Sequence, residues 1–374
     1  MRCRAFAAGL LALLAAGCAD GRGIIGPAPP LDIPFDPRAT ANSIYSLRFA
    51  ADNAIVVQVR TISEALGLSD PAANRVAHSR TRGTTDRLGL LRTLAPGSLE
   101  RGVANVAAAR ARGAKVPLFP INYLGKEFIF DAGIDAYIEV GEGGPENGVR
   151  FELYVVDLSS GLPALPLRPF GFVDLTDESD AVSTRLRVQA FDTNGGRAAR
   201  VADYLVDGAF ATERRGVSVS LLSEGFVEDQ NGRFDFELDE LLESDDAAGV
   251  TRVTSQHRVL SAEETEVRLS VEGDLSFDGS HADLLFRMDI DGTAGLTLVD
   301  LRVVDGAQDG EIRHGHRREA RVEGTVDAPV FVDLAGRGFT NSELAALDEI
   351  LFGIDDVLLF AGEAYVPLAD LFAY

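Results

Sequence analysis

The chain has few residues of several chemically useful types. Among its 374 residues there are only two cysteines, Cys3 and Cys18, and no tryptophan. Residues 19–374 therefore contain no thiol for a disulfide, a thiolate metal site or a cysteine nucleophile. The absence of tryptophan argues against sugar binding by indole stacking. Without covalent staples the folded state must depend on a hydrophobic core, and a chain near this length buries about 75% of its unfolded surface.

The sequence also lacks the local motifs of common enzymes. It has no Gly-x-Ser-x-Gly nucleophile elbow, no His-Glu-x-x-His zinc motif and no phosphate-binding Gly-Lys-Ser loop. Only five histidines are present. We therefore predict that the chain is not an enzyme, and we assign no catalytic residue.

The first residues of the chain have the pattern of an export signal. Arg2 and Arg4 form a short basic start, and residues 5–14 are almost wholly apolar. This apolar run is about half as long as a membrane-spanning helix, which needs roughly 20 residues. The segment then ends in Ala15-Ala16-Gly17-Cys18. A short apolar run followed by small residues and a cysteine resembles the signal peptide of bacterial lipoproteins.

The resemblance to lipoprotein signals implies a location and an anchor. It implies cleavage between Gly17 and Cys18 and attachment of lipid chains to Cys18, which becomes the first residue of the mature protein. Two or more chains hold a protein stably on a membrane, since each buried CH₂ contributes about 0.8 kcal/mol. The next residue, Ala19, implies sorting to the outer membrane of a Gram-negative bacterium.

Charge is distributed unevenly along the chain. The net charge is −23, but residues 36–115 carry twelve basic and six acidic residues, whereas residues 116–374 carry 20 basic and 50 acidic residues. A strongly acidic domain repels phosphate backbones, so we exclude nucleic acid as a partner. The same field favours cations or basic partners. The basic stretch follows the anchor and is expected to lie near anionic lipid headgroups.

Composition divides the chain into four segments. We predict a lipoprotein signal peptide over 1–17, an extended tether over 18–41, a mixed and partly helical region over 42–117, and an acidic antiparallel β domain over 118–374. The tether is rich in proline and glycine, which favour an extended linker. Residues 43–66 fit either one helical face or a hairpin. Residues 98–113 are predicted to be a helix.

Alternation of apolar and polar residues dominates the chain after residue 126. Such alternation is typical of antiparallel strands with one face buried and one face in solvent. We predict a mainly β fold, a large antiparallel sandwich or barrel-like sheet, with a smaller helical N-terminal part and one late helix. The alternating apolar positions are Phe128, Phe130, Ala132, Ile134, Ala136, Ile138 and Val140; Phe234, Phe236 and Leu238; and Val267, Leu269, Val271, Leu275 and Phe277.

The late helix is predicted at about residues 342–352. Thr340 and Glu343 have the spacing of a capping box, and Gly353 is expected to end the helix. The chain ends in Leu371-Phe372-Ala373-Tyr374, with a terminal aromatic residue and apolar residues at alternate positions. We therefore expect the end of the chain to form a closing strand.

Two histidines supply a candidate metal site. His314 and His316 fall on the apolar positions of the stretch from Ile312 to Val326, so a regular strand would present both on one face. Adjacent imidazoles on one face can share a transition metal. His257, on an inward face with Val253 and Val259, is the candidate for a third ligand.

Two acidic segments supply candidate calcium ligands. Ca²⁺ binds several oxygen atoms, and acidic turns provide them. Asn-Gly and Asp-Gly also form tight hairpin turns without any ion. The candidate ligands are Asp229, Asn231, Asp235, Asp289 and Asp291.

Three functions remain open at this point. The first is a lipid-anchored cell-envelope protein with a non-enzymatic binding or structural β domain, whose partners are the membrane and another envelope component. The second is a carrier of an apolar ligand, in a cavity lined by Phe128, Phe130, Ile134 and Phe277. The third is a metal-dependent enzyme built around His314 and His316. Apart from the lipid on Cys18, no cofactor is expected unless calcium or zinc binds at these candidate sites.

Overall fold

The computed structural model of the chain describes residues 33–372, except for 52, 66–116, 157–161, 181–182, 214–215, 231, 246, 263 and 277–279. The predicted signal peptide, Cys18 and the helix predicted over 98–113 lie outside the described residues. The chain divides into two compact units, Met1–Pro34 and Phe35–Tyr374. Only Ile33 and Pro34 of the first unit are described.

The described residues include fifteen β-strands between residues 126 and 333. Because side chains on a strand alternate between its two faces, the alternating sequence gives each strand one face for a core. The strands are β1 (Lys126–Asp131), β2 (Ala136–Glu142), β3 (Gly148–Tyr154), β4 (Pro169–Asp177), β5 (Thr184–Asp192), β6 (Ala199–Glu213), β7 (Gly216–Asp229), β8 (Gly232–Asp245), β9 (Val250–Ser261), β10 (Glu266–Ser276), β11 (Ala282–Asp291), β12 (Thr297–Val304), β13 (Ala307–His314), β14 (Arg317–Thr325) and β15 (Ala328–Asp333).

These strands form one sheet in which nearly every strand pairs with its neighbours in sequence. The order is β15-β14-β13-β12-β11-β10-β9-β8-β7-β6-β5-β4-β3-β1-β2. Pairing is antiparallel except between β1 and β3, which are parallel. The predicted mainly β class is confirmed, with 56% strand and 18% helix. The strands belong to one continuous sheet and not to two stacked sheets.

The turns between strands follow the glycine signals in the sequence. Asp305 and Gly306 join β12 to β13 and have φ angles of +50° and +84°. Two positive φ values in a two-residue turn define type I′, whose twist matches that of the flanking strands. An Asp-Gly pair thus forms a tight hairpin turn at this position.

A hairpin interrupts the alternating stretch after residue 126. β1 ends at Asp131, whose side chain accepts a hydrogen bond from the backbone N–H of Gly133 at 2.7 Å, and Asp135 has a φ of +56°. Ile134 therefore lies in the turn, with 64% of its surface exposed. Its predicted place in the core is wrong, whereas Phe128 and Phe130 are buried as predicted.

Among the described residues, three short helices precede the sheet. They are α1 (Pro37–Tyr45), α2 (Leu47–Ala51) and α3 (Ala54–Ala65). The hairpin alternative for residues 43–66 is therefore wrong. The side chain of Asp36 caps α1 by accepting hydrogen bonds from the N–H groups of Arg38 and Ala39. The predicted tether thus overlaps α1 in its last residues.

The late helix, α4 (Asn341–Phe372), has 32 residues and is much longer than predicted. Its predicted capping box is confirmed. The N–H of Glu343 donates to Thr340 Oγ1 at 3.3 Å, and the N–H of Thr340 donates to Glu343 Oε2 at 2.8 Å. The predicted closing strand is wrong, since residues 371 and 372 belong to the helix.

Gly353 lies in the middle of α4, at a point where the helix packs closely against two other elements. A Cβ at this residue would lie 2.9 Å from Ile44 Cδ1 of α1, and 3.6 Å from the sulfur of Met288 in β11. The missing side chain lets α4 approach both neighbours. The expected helix end at Gly353 is therefore wrong. The glycine at this position provides room for the close contact, and the helix continues through it.

The helices cover one face of the sheet, here called the inner face. α4 contacts β5, β6, β7, β9 and β15, and α1, α2 and α3 pack against α4. The ring of Phe360 in α4 lies 5.0 Å from that of Phe236 in β8, edge to face. No helix within the described ranges is long and apolar enough to cross a membrane. The opposite face, called the outer face, is the more polar one.

Candidate functional site

The two neighbouring histidines of the predicted metal site do not share a face. β13 ends at His314, and a turn at Gly315 and His316 leads into β14. Gly315 has a φ of +56°, which suits a tight turn. His314 is buried, its Nδ1 lies 3.0 Å from Thr297 Oγ1, and its ring contacts that of Phe35. His316 is exposed, so the predicted pairing is wrong.

The predicted third ligand, His257, is far from the other two. It lies on β9, four strands away from β13 in the sheet order. With strands about 4.8 Å apart, this separation is roughly 19 Å. Its predicted inward orientation is confirmed, since it is 2% exposed. The part of the chain that the structure describes contains no group of three His, Cys, Asp or Glu residues suited to a metal.

The candidate calcium ligands lie at strand ends and on the outer face. Asp229 ends β7, and Asp235 in β8 accepts hydrogen bonds from Arg233, the shortest of 2.6 Å. Asp289 and Asp291 are two residues apart on β11. Asn231 lies outside the described residues. The four described candidates are not brought together into a cation site.

The residues predicted to line a carrier cavity are separated as well. Phe128 and Phe130 are buried near the start of the sheet, Ile134 is exposed in a turn, and Phe277 lies outside the described residues. The inner face of the sheet is covered by helices of the same chain. The three described residues therefore do not form a common lining.

Cross-strand ion pairs cover the outer face. Arg150 in β3 donates two hydrogen bonds to Asp174 in β4, at 2.7 and 2.9 Å. These pairs occupy the polar positions of the alternating pattern, and they account for many of the arginines and acids in the domain. Exposed pairs of this kind contribute about 0–1 kcal/mol each. Others are Arg185–Asp207, Arg252–Asp274, Arg258–Glu266, Arg302–Asp283, Arg313–Asp300 and Arg321–Asp309.

One acid of the outer face is almost completely buried by its partners. Asp203 in β6 is only 8% exposed. Arg187 and Arg200 each contact its carboxylate at 2.6 Å, and Gln189 Nε2 donates to it at 3.2 Å. Hydrogen bonds from charged donors compensate a buried carboxylate for lost water. Asp203 is thus a buried charge with a complete set of partners.

A cleft of about 450 Å³ opens on the outer face beside Asp203. Its floor includes Gly225, where a Cβ would lie 2.2 Å from the carbonyl oxygen of Asp203. Glu224 in β7 and Glu237 in β8 lie directly opposite each other on its wall. Both are exposed, and neither lies within ion-pair distance of a base among the described residues. Arg258 of β9 lies opposite Glu237 and also lines the cleft. Two like charges in register repel each other, so a cationic group bound between Glu224 and Glu237 is favoured.

A second cleft of about 400 Å³ adjoins the first on the outer face. It is lined by side chains of both signs, including Asp239, Arg268, Arg287 and Asp289. Partial burial raises the pKa of Asp289 above its usual value. The two clefts together line a charged part of the outer face between β5 and β11.

Several polar residues interrupt the apolar inner face of β7, β8 and β9, and four of them lie close together. We define these four, Ser223, Glu240, Ser255 and His257, as the inner polar cluster. Glu240 lies opposite Ser255, His257 is two residues beyond Ser255, and Ser223 is diagonal to Glu240. Each of the four is at most 2% exposed. No polar side-chain atom of this cluster has a hydrogen-bond partner within the described part of the chain.

Burial shifts the ionisation of both titratable residues in the inner polar cluster. It raises the pKa of Glu240 to about 8, with a smaller contribution from the charge of Asp239. It lowers the pKa of His257 to about 4. Both shifts favour the neutral form, because a charge in an apolar interior loses its hydration. The cluster is therefore uncharged over a wide range below pH 8.

Sequence reasoning identified His257 but missed Glu240. The signal was available, since Glu240 continues the series Phe234, Phe236 and Leu238 at the next alternate position. A carboxylate on an otherwise apolar strand face is unusual, because Glu is almost never fully buried without a partner. The many acids of the domain obscured this one position.

The chain was compared with known proteins at the levels of sequence and structure. No protein-family model matches it, and no curated protein and no solved structure shows significant similarity to it.

Proposed function

We propose that this chain is a lipid-anchored protein of the bacterial cell envelope whose β domain binds another envelope component and performs no catalysis. The signal pattern before Cys18 supports the anchor. The sheet supports the binding role, because its inner face is already covered by α1–α4. The outer face is then the surface on which a partner can be bound. This division between a covered and a free face is the observation that carries the proposal.

The chemistry of the outer face indicates a basic partner. The first cleft has two exposed carboxylates in register, Glu224 and Glu237, and the domain as a whole is strongly acidic. Complementary charge steers partners together and suppresses the binding of acidic ones. We therefore expect the bound component to present lysine or arginine side chains to this cleft.

Site-specific photo-crosslinking in intact cells tests the binding proposal. A photoreactive amino acid at Leu222, which lies on the outer face beside the clefts, should give one discrete adduct. Replacing both Glu224 and Glu237 with arginine should abolish that adduct. Leu296 is a matched control with similar exposure, 42% against 37% for Leu222, in the loop before β12. No adduct at Leu222, or the same adducts at both positions, would contradict the proposal.

Metabolic labelling tests the anchor. Radiolabelled fatty acid should be incorporated into the wild-type protein, and the Cys18→Ser variant should lose the label and appear in the soluble fraction. Equal labelling of the two proteins would show that Cys18 is not acylated.

A further inference from the structure

The inner polar cluster lies between the sheet and α4. Tyr365 of α4 is 1% exposed, and its hydroxyl group donates to the carbonyl oxygen of Leu221 at 3.5 Å. Leu221 is the β7 residue directly opposite Glu240. The position of Glu240 on the inner face, and its influence on the ionisation of Tyr365, place its carboxyl group beside the last turns of α4.

The surroundings of Glu240 offer no compensation for a negative charge. On β7 it faces Leu221 and Ser223, on β9 it faces Ser255 and the neutral His257, and on α4 it faces Tyr365. The other nearby ionisable group is Asp239, the adjacent residue of its own strand. α4 itself carries two more buried acids, Asp355 and Glu363. Among the described residues that face Glu240, none is a base, so its ionisation would place a charge there without a cationic partner.

We propose that Glu240 is a proton-controlled latch for α4, which packs closely on the sheet while this carboxyl group is protonated and separates locally when it ionises. Water can then reach the carboxylate. The helix is the element that moves, because its backbone hydrogen bonds are internal and survive the separation. β8 cannot move in the same way, since it is hydrogen-bonded along its length to β7 and β9. The latch concerns the packing of α4 and does not depend on the proposed partner.

The helix has features that suit a separable element. Pro367 interrupts its hydrogen bonding within the last turns, next to Tyr365. The polar contact between Tyr365 and Leu221 is long, at 3.5 Å, and therefore weak. The attachment of this end of α4 to the sheet thus depends on apolar packing. An ionised Glu240 carboxylate within that packing would disfavour it directly.

Hydrogen–deuterium exchange of the full chain between pH 6 and pH 9 tests the latch. After correction for the intrinsic exchange rate, the opening equilibrium of α4 should rise roughly a hundredfold in the wild type over this range, following a carboxyl that titrates near pH 8. Glu240→Gln, which cannot ionise, should remove this rise. Glu228→Gln, an exposed change on the neighbouring strand β7, should retain it.

Two results would overturn the latch. One is the same pH dependence in the wild type and in Glu240→Gln. The other is a rise that extends equally over β10 to β13, since this would indicate loosening of the whole sheet. If Glu240→Gln does not fold, carbon-13 NMR of the glutamate carboxyl groups in the wild type gives the answer. A Glu240 carboxyl that titrates near 4.5 would refute the latch, and one that titrates near 8 with broadening of α4 signals would support it.

Discussion

Two buried carboxylates on opposite faces of the sheet show two ways of placing an acid away from water. Asp203, on the outer face, is 8% exposed and is contacted by Arg187, Arg200 and Gln189. Glu240, on the inner face, is 1% exposed and has no partner for either oxygen among the described residues. Donors from three side chains replace the water around the first carboxylate. No donor replaces it around the second, and burial raises the pKa of Glu240 to about 8.

The comparison shows that burial alone does not determine what an acid contributes. A buried charge with hydrogen-bonding partners is tolerated, and removal of a partner is costly. A buried acid without partners changes its ionisation instead, so its effect on stability depends on pH. The two faces of this sheet should therefore respond differently to mutation.

The largest loss of stability is expected from a new acid on the inner face, at a position where no group pairs with it. Leu238→Asp places a carboxylate at a fully buried position two residues from Glu240. We expect the free energy of unfolding to fall by about 4 kcal/mol or more at pH 7, since the group is neither paired nor hydrated. Urea denaturation measures this loss. Glu237→Gln on the outer face is the control and should change stability by less than about 0.5 kcal/mol.

A smaller effect is expected from His257 at low pH. Its pKa is lowered to about 4 from 6.5. Between these two pH values the imidazole is mostly protonated in the unfolded chain and mostly neutral in the folded protein. Above pH 6.5 this group does not reduce the free energy of unfolding. As the pH falls toward 4 that free energy decreases, and the decrease is about 2 kcal/mol at pH 5. His257→Phe should remove this part of the pH dependence. Denaturation at pH 5 and pH 7 measures it.

The exposed His316 provides the control for that experiment. His316→Ala should leave the loss of stability between pH 7 and pH 5 unchanged, because its imidazole is in solvent in both states. If His257→Phe lost as much stability on acidification as the wild type, the assignment of this pH dependence to His257 would be wrong.

On the outer face, removal of a charge from a partnered acid should have a moderate effect. Asp203→Asn keeps the shape of the side chain but weakens its hydrogen bonds with Arg187 and Arg200. We expect a loss of about 1–2 kcal/mol, because hydrogen bonds to charged groups contribute about 1.5–3 kcal/mol and these arginines remain partly hydrated. Thermal unfolding at low and high salt measures the loss. A stabilised Asp203→Asn protein would contradict the comparison.

The smallest effect is expected from an exposed ion pair. Arg252 and Asp274 lie 3.3 Å apart, and their side chains are 63% and 45% exposed. Arg252→Ala should change stability by less than about 1 kcal/mol, and the change should diminish as salt is added. A loss as large as that of Asp203→Asn would show that the burial of an ion pair does not determine how much it contributes to stability.

The strands were predictable where one face is buried along the whole strand. β8 and β10 repeat with period two, and their predicted inner residues Phe234, Leu238 and Leu269 are all buried. The capping box of α4 was predictable as well, because it depends on residues three apart in sequence. Local hydrogen bonding and strand periodicity are both visible in a short stretch of sequence.

The errors occurred where contacts between distant residues decide the outcome. Gly353 looks like a helix end until Ile44 and Met288, from two other elements, are seen to contact it. The turn at Gly315 and His316 separates two histidines that a regular strand would have placed together. The importance of Glu240 depends on α4, a helix that follows it by about 100 residues in the sequence. None of these contacts is encoded in local periodicity.

The strand order has a consequence for how the chain is made. Since neighbouring strands in the sheet are neighbours in sequence, each can pair as soon as it follows the one before it, and such local pairing favours rapid folding. The helix that covers their apolar side comes after the last strand. A chain that emerges from its N-terminal end during synthesis therefore carries a nearly complete sheet that lacks its main covering helix until residues 341–372 arrive. For that interval the growing chain needs either a chaperone or a fast final step.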